Sequence, residues 1–124
     1  QDALSQYSKA RIESNQVEYS LLEREIEQDL LRYCQKKGVT IMAYEPFDKG
    51  KLFYINDART RILDDISARY KKTRAQVALN WVISKKEVMT IPKASDLGHV
   101  KENAAASDFK LLQEDIKILN EAFE

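Results

Sequence analysis

The run Gly38-Val39-Thr40-Ile41-Met42-Ala43-Tyr44 constrains this chain more than any other segment. It is β-branched, almost continuously apolar and ends just before Pro46. Runs of this kind are strands covered on both faces, as in parallel α/β sheets. The residues before it change period. From Glu23 to Lys37, Ile26, Leu30, Tyr33 and Cys34 fall at helical spacing, with acids in the first turn and lysines in the last. Gly38 then stands where a left-handed residue ends a helix. A helix running straight into a buried strand is part of a β/α unit, so the neighbouring strand is parallel and reached by a crossover.

Two further strands are expected. Asn15 to Leu22 alternates Val17, Tyr19 and Leu21 with polar residues, and Val88 to Ile91 is a short apolar strand closed by Pro92. Between the second and third strands come a loop carrying Pro46 and Gly50 and a helix over residues 60–70, with Ile62, Leu63 and Ile66 inward. A second helix follows, opened by a capping box at Thr73 and Gln76 and faced by Ala75, Ala78, Leu79 and Val82. After the third strand, Ser95 or Asp96 caps a helix running to Ala106, and a last amphipathic helix uses Ile116, Leu119 and Phe123. Residues 1–14 read as a short polar helix with Leu4, Tyr7 and Ile12 as its apolar positions.

Strands alternating with helices predict an α/β fold with about three parallel strands and helices outside. No repeat or linker divides the sequence, so residues 1–124 form one unit. Three parallel strands alone would leave both edges unpaired beside apolar side chains. A closed β/α barrel has eight such units in about 250 residues, and this chain is expected to be part of one, a partial TIM barrel. Composition narrows the partners. Twenty basic and 20 acidic residues cancel, which gives no electrostatic reason to bind nucleic acid. No stretch approaches the roughly 20 apolar residues of a membrane span, and no signal-peptide pattern opens the chain. One cysteine and one histidine exclude a disulfide framework, argue against a zinc site and favour a reducing, cytoplasmic setting.

Four strings carry a family resemblance: Asn15-Gln16-Val17-Glu18-Tyr19, Gly38 to Pro46, Ala75-Gln76-Val77-Ala78-Leu79-Asn80-Trp81, and Ile91-Pro92-Lys93-Ala94-Ser95 followed by Glu102-Asn103. In this order and spacing they resemble the C-terminal portion of the aldo-keto reductases, NADPH-dependent oxidoreductases on a β/α barrel, over nearly the whole chain. The resemblance makes the three strands the sixth to eighth of that barrel. It implies reduction of an aldehyde or ketone to an alcohol by hydride transfer. It also implies that the aspartate, tyrosine, lysine and histidine that do the chemistry come from the first half of the barrel. No position here matches them, and the sole histidine, His99, lies in the cofactor region. No catalytic residue is therefore assigned, and the chain alone is expected to hold cofactor without turning over. The alternative is a non-catalytic half-barrel module that self-associates through its strand edges, or pairs with the missing N-terminal half.

The same resemblance assigns cofactor roles residue by residue. Tyr44 ends a strand at the barrel mouth, where an aromatic face stacks on a flat nicotinamide; by the residues alone it serves equally as packing for a neighbouring loop. Gln16 offers donors and an acceptor for the carboxamide, though alternation leaves open whether it faces into the barrel or out. Lys93, Ser95 and His99 surround a strand-to-helix junction, where free amides and the helix dipole favour an anion, and the resemblance makes that anion the 2′-phosphate of NADPH. His99 stands where relatives often carry arginine, and Ala94 where they often carry serine. Glu102 and Asn103 match positions that bind the adenine end. Glu45 departs from the family's small polar residue and is expected to turn away or pair with Lys49 or Lys51. Trp81, Leu79, Val82 and Cys34 read as packing.

Overall fold

The computed structural model describes residues 11–124. Its centre is one parallel sheet in the order β1 (Ser14–Glu18), β2 (Thr40–Tyr44), β3 (Val88–Thr90). The helices are α1 (Leu30–Lys37), α2 (Lys51–Tyr54), α3 (Ala58–Tyr70), α4 (Arg74–Ile83), α5 (Leu97–Ala104) and α6 (Gln113–Ala122). Most of the helix expected over residues 1–14 lies outside the described residues, but Ser14 belongs to β1.

Register fixes what each face does. Ser14 lies opposite Thr40 and Glu18 opposite Tyr44, while Ile41 lies opposite Val88 and Ala43 opposite Thr90. Ile41 and Ala43 are fully buried, packed with Val17, Val88 and the helices. Gln16, Met42 and Met89 form a row across the other face, where Gln16 and Met89 are exposed. One face of the sheet is a core, and the other is open.

β1 stops at Glu18, earlier than the alternation predicts. Tyr19 and Leu21 are buried as the pattern requires, but they enter the helical core through a turn. The Ser20 hydroxyl accepts the amides of Leu22 and Glu23 at 3.1 and 3.0 Å, a local bond that competes with strand pairing. α1 begins at Leu30, after a single 3-10 turn over Glu25–Glu27, and not at Glu23. It ends as expected at Gly38, whose φ is 68°. Lacking a Cβ, glycine adopts that conformation without strain.

Two capping boxes punctuate the middle of the chain. The expected one closes around Thr73 and Gln76, each side chain holding the other's backbone amide, at 3.1 and 3.0 Å. The second, Asp57 with Thr60, starts α3 two residues earlier than the apolar pattern suggests. α4 is the central element, with Ala75 to Val82 all buried. Trp81 is inaccessible to solvent, packs 5.5 Å from the Tyr19 ring centroid, and donates its indole N–H to Asn120 at 2.9 Å. Arg24 and Lys85 lie 5.3 and 4.6 Å from its ring centroid, within cation–π range.

α6 is tied to α3 by a buried carboxylate. Asp115 accepts from Arg69 and from the Tyr70 hydroxyl, both at 2.5 Å. Burial pushes its carboxyl up, but the hydrogen bonds from Tyr70 and Arg69, with the charge of Arg69, more than offset this and hold it below the usual range. A depressed carboxyl contributes stability above its unfolded value, about 3.9, and loses it as pH falls through the folded value. Asp115→Asn is therefore expected to lower the melting temperature by about 5–10 °C near neutral pH. In thermal melts followed by circular dichroism, the gap should shrink as pH falls below about 4. A gap independent of pH would exclude a charged role for this group.

Among the described residues no helix is long and apolar enough to cross a membrane, and no cluster of metal-ligating side chains occurs.

Candidate functional site

Because the strands are parallel, Glu18, Tyr44 and Thr90 end at the same edge of the sheet. The chain leaves β2 through a tight loop and leaves β3 toward α5, and between these two exits lies a cleft of about 490 Å³. Tyr44, Glu45, Phe47 and Lys49 line one side, and Ile91, Lys93, Ser95 and His99 the other. A second cleft of about 360 Å³ shares Phe47, Phe53, Lys93 and His99 with the first and continues to Ala75, Glu102 and Asn103. Six of the seven residues expected at a cofactor site thus line two adjoining clefts. Gln16 lines neither. It sits opposite Met42, two residues before Tyr44 on the neighbouring strand, on the open face of the sheet. The register answers the question that alternation left open, since Gln16 faces away from the helices.

The loop after β2 is wound tightly. Glu45, Asp48, Lys49 and Gly50 all have positive φ, between 49° and 81°, and each such non-glycine residue costs about 1 kcal/mol or more. Asp48 donates its amide to the Glu45 carbonyl at 2.9 Å, and the Lys49 amide reaches the Glu45 carboxylate at 3.1 Å. Of the two outcomes the sequence left for Glu45, turning away or pairing with Lys49 or Lys51, no ion pair forms: its carboxylate caps its own loop, and Lys51 pairs with Asp48 at 3.8 Å. Phe47 and Phe53, with ring centroids 5.0 Å apart, form the apolar floor shared by both clefts. Sequence reading missed both aromatics and the single-turn helix α2. Their signal was two phenylalanines flanking Gly50, in a stretch too short to show a period.

On the other wall, α5 is capped by Asp96 and not by Ser95. Asp96 accepts the His99 amide at 2.9 Å, and its other oxygen lies 2.9 Å from His99 Nδ1. Lys93 forms no ion pair among the described residues and is exposed. α5 is anchored from below, where Gln76 donates from its side chain to the Glu102 carbonyl at 3.1 Å. The capping-box partner of Thr73 thereby holds the backbone that carries Glu102 and Asn103. The arrangement offers an aromatic wall, a lysine and a helix N-terminus around one concave space, which suits a ligand with a flat ring at one end and phosphate at the other.

The family model for the aldo/keto reductases matches residues 1–124. The chain belongs to the aldo/keto reductase family. It is 36% identical over 110 residues to methylglyoxal reductase YeaE of Escherichia coli, covering 89% of this chain and 39% of that protein. Among solved structures, the thermostable aldo-keto reductase Tm1743, determined with the inhibitor epalrestat, superposes with a TM-score of 0.90 at 35% identity over 98% of this chain and 43% of that one. An aldo/keto reductase from Klebsiella pneumoniae in complex with NADP and acetate superposes with a TM-score of 0.80 at 36% identity, over 90% and 39% of the two chains. The chain spans about two-fifths of the length of these relatives. Its three parallel strands and their helices are part of an aldo-keto reductase barrel, the fold class expected from the alternation of elements.

Proposed function

We propose that residues 1–124 form the cofactor-holding, C-terminal part of an NADPH-dependent aldo-keto reductase that reduces aldehydes or ketones to alcohols. The observation that carries this reading is that Tyr44 and Lys93 line one cleft, although 49 positions separate them in sequence. Relatives determined with NADP support the same cofactor class. The cleft fits it chemically: Tyr44 presents an aromatic face, Lys93 and Ser95 a cation and a hydroxyl at a helix start, and Phe47 and Phe53 an apolar floor.

In this reading Tyr44 orients the nicotinamide, Gln16 reaches its carboxamide from the open face of the sheet, and Lys93, Ser95 and His99 receive the 2′-phosphate. Glu102 and Asn103 hold the adenine end. When bound, the dinucleotide supplies the hydride for carbonyl reduction. The protein's part is to bind and orient it and to keep water from the ring. The proton that completes an alcohol comes from groups on the remainder of the barrel, whose strands cover the free edges of β1 and β3. A lone, buried cysteine, Cys34, fits a reducing, cytoplasmic setting.

Incubation of the purified 124-residue chain with NADPH and a generic aldehyde, followed at the nicotinamide absorbance, is expected to give no turnover above background while NADPH still binds. Robust NADPH oxidation would overturn the view that the proton donor lies outside these residues. A second copy of the chain pairing along β3 is the competing reading. It is favoured by the exposure of Met89 and Ile91 beside an apolar cleft of about 470 Å³ that both Met89 and Val100 line.

A further inference from the structure

We propose that Arg74 is a positioning residue for both clefts, because it fixes the loop that carries their aromatic floor. The inference rests on the reading that the clefts take a nicotinamide dinucleotide. Each nitrogen of the Arg74 guanidinium has its own work. Nε and Nη2 donate to the two oxygens of Asp64 on α3 at 2.8 and 2.6 Å, and Nη1 donates to the carbonyls of Leu52 and Ile55 at 2.8 and 3.3 Å. The planar fork grips the carboxylate with two nitrogens and leaves the third for the loop. Arg74 opens α4, whose next residue, Ala75, lines the second cleft. One side chain thus joins α3, α4 and the loop after β2.

That loop needs an outside tie. α2 is a single turn, too short to hold itself. Among the described residues, the other hydrogen bonds of the loop stay within it: the amides of Asp48, Leu52, Phe53 and Ile55 donate to the carbonyls of Glu45, Phe47, Gly50 and Lys51. Leu52 is buried in the core, with Phe47 packed against the same cluster, but apolar burial is non-directional and lets a short loop pivot. The Arg74 bonds are directional. They take carbonyls on both sides of Phe53 and Tyr54. Phe53 is 46% exposed, so packing alone does not place its ring, which stands 5.0 Å from that of Phe47 and lines both clefts with it. The position of the floor therefore follows from the guanidinium.

Arg74→Lys keeps a charge opposite Asp64 but replaces three nitrogens by one, which cannot serve a carboxylate and two carbonyls together. In fluorescence titrations of the full chain, R74K is expected to bind NADPH and NADH alike about three- to tenfold more weakly than wild type, the size of a lost hydrogen-bonded tie. Both dinucleotides suffer equally because an aromatic floor carries no charge to tell them apart. Arg74→Met, which has no donor, should lose at least as much. Asp64→Asn removes the opposing charge but keeps an oxygen for Nε, so its affinities should stay within about twofold of wild type. Amide hydrogen exchange reads the loop without any ligand. In R74K, exchange at Phe53 and Ile55 should quicken by at least about tenfold, while Val77 and Val82 within α4 keep their wild-type rates. Wild-type affinities in both Arg74 variants, a loss confined to NADPH, or an equal loss in D64N would overturn the positioning role while leaving cofactor binding intact. If the wild-type chain, folded by circular dichroism, binds neither dinucleotide saturably, the underlying reading falls and this inference with it.

Discussion

Replacing Lys93 by methionine is expected to weaken NADPH binding by about 10- to 100-fold and NADH binding by no more than about threefold, the size of a lost charge-assisted contact to phosphate. Methionine preserves the length and apolar stem of the side chain, so the comparison isolates the ammonium. Lys93 lines both clefts and is exposed, so its loss leaves no buried partner and should leave stability unchanged. The other basic groups cannot substitute for it. Lys49 sits on the far wall, and the His99 imidazole already faces Asp96 at 2.9 Å. Isothermal titration with both dinucleotides checks the result. Equal losses for NADPH and NADH would remove Lys93 from phosphate recognition.

The largest effect on stability is expected from Asn80→Leu, a loss of about 3–5 kcal/mol. Asn80 is buried in α4, and its amide is fully used. It donates to the carbonyls of Ala106 and Phe109 at 2.9 and 2.7 Å and accepts the Leu111 amide at 3.3 Å. Leucine keeps the branched outline and adds apolar burial, a gain of about 1–2 kcal/mol, but it is the larger side chain and strains a packed site. Three backbone groups would lose their partners, however, and each costs about 1–3 kcal/mol when buried and unsatisfied. The damage also reaches the site. Residues 105–112 join α5 to α6, so freeing them loosens the helix that carries Glu102 and Asn103. Urea denaturation should show a lower midpoint with little change in slope. A loss below about 1 kcal/mol would mean that water or a shifted loop replaces the amide.

The fold was legible where one local signal governed one element. The β-branched run gave β2, Gly38 ended α1, and the spacing of Thr73 and Gln76 placed the start of α4 to the residue. Legibility failed where a side chain overrode the pattern. Ser20 bends the chain out of β1 by accepting two amides, although Tyr19 and Leu21 keep the alternation of a strand. The start of α3 was hidden because Asp57 and Thr60 form a capping box with the acidic residue first and the hydroxyl second. For the clefts, family-like strings marked the residues at strand ends, whose neighbourhood follows from parallel topology. Phe47 and Phe53 meet only because positive φ at four loop residues folds the loop back, and no periodicity encodes that. Glu45 and Asp96 were visible as charges, but their preference for nearby backbone amides is a matter of geometry.

Amide chemical-shift mapping of the isotope-labelled chain during titration with NADPH tests the reading most directly. Saturable shifts should concentrate at Tyr44, the loop Glu45 to Gly50, the segment Lys93 to His99, and Glu102 and Asn103, with Gln16 as the outlying reporter on β1. Shifts confined to the apolar cleft beside β3, around Met89, Val100 and Ser107, or no saturable shifts in a folded chain, would contradict it.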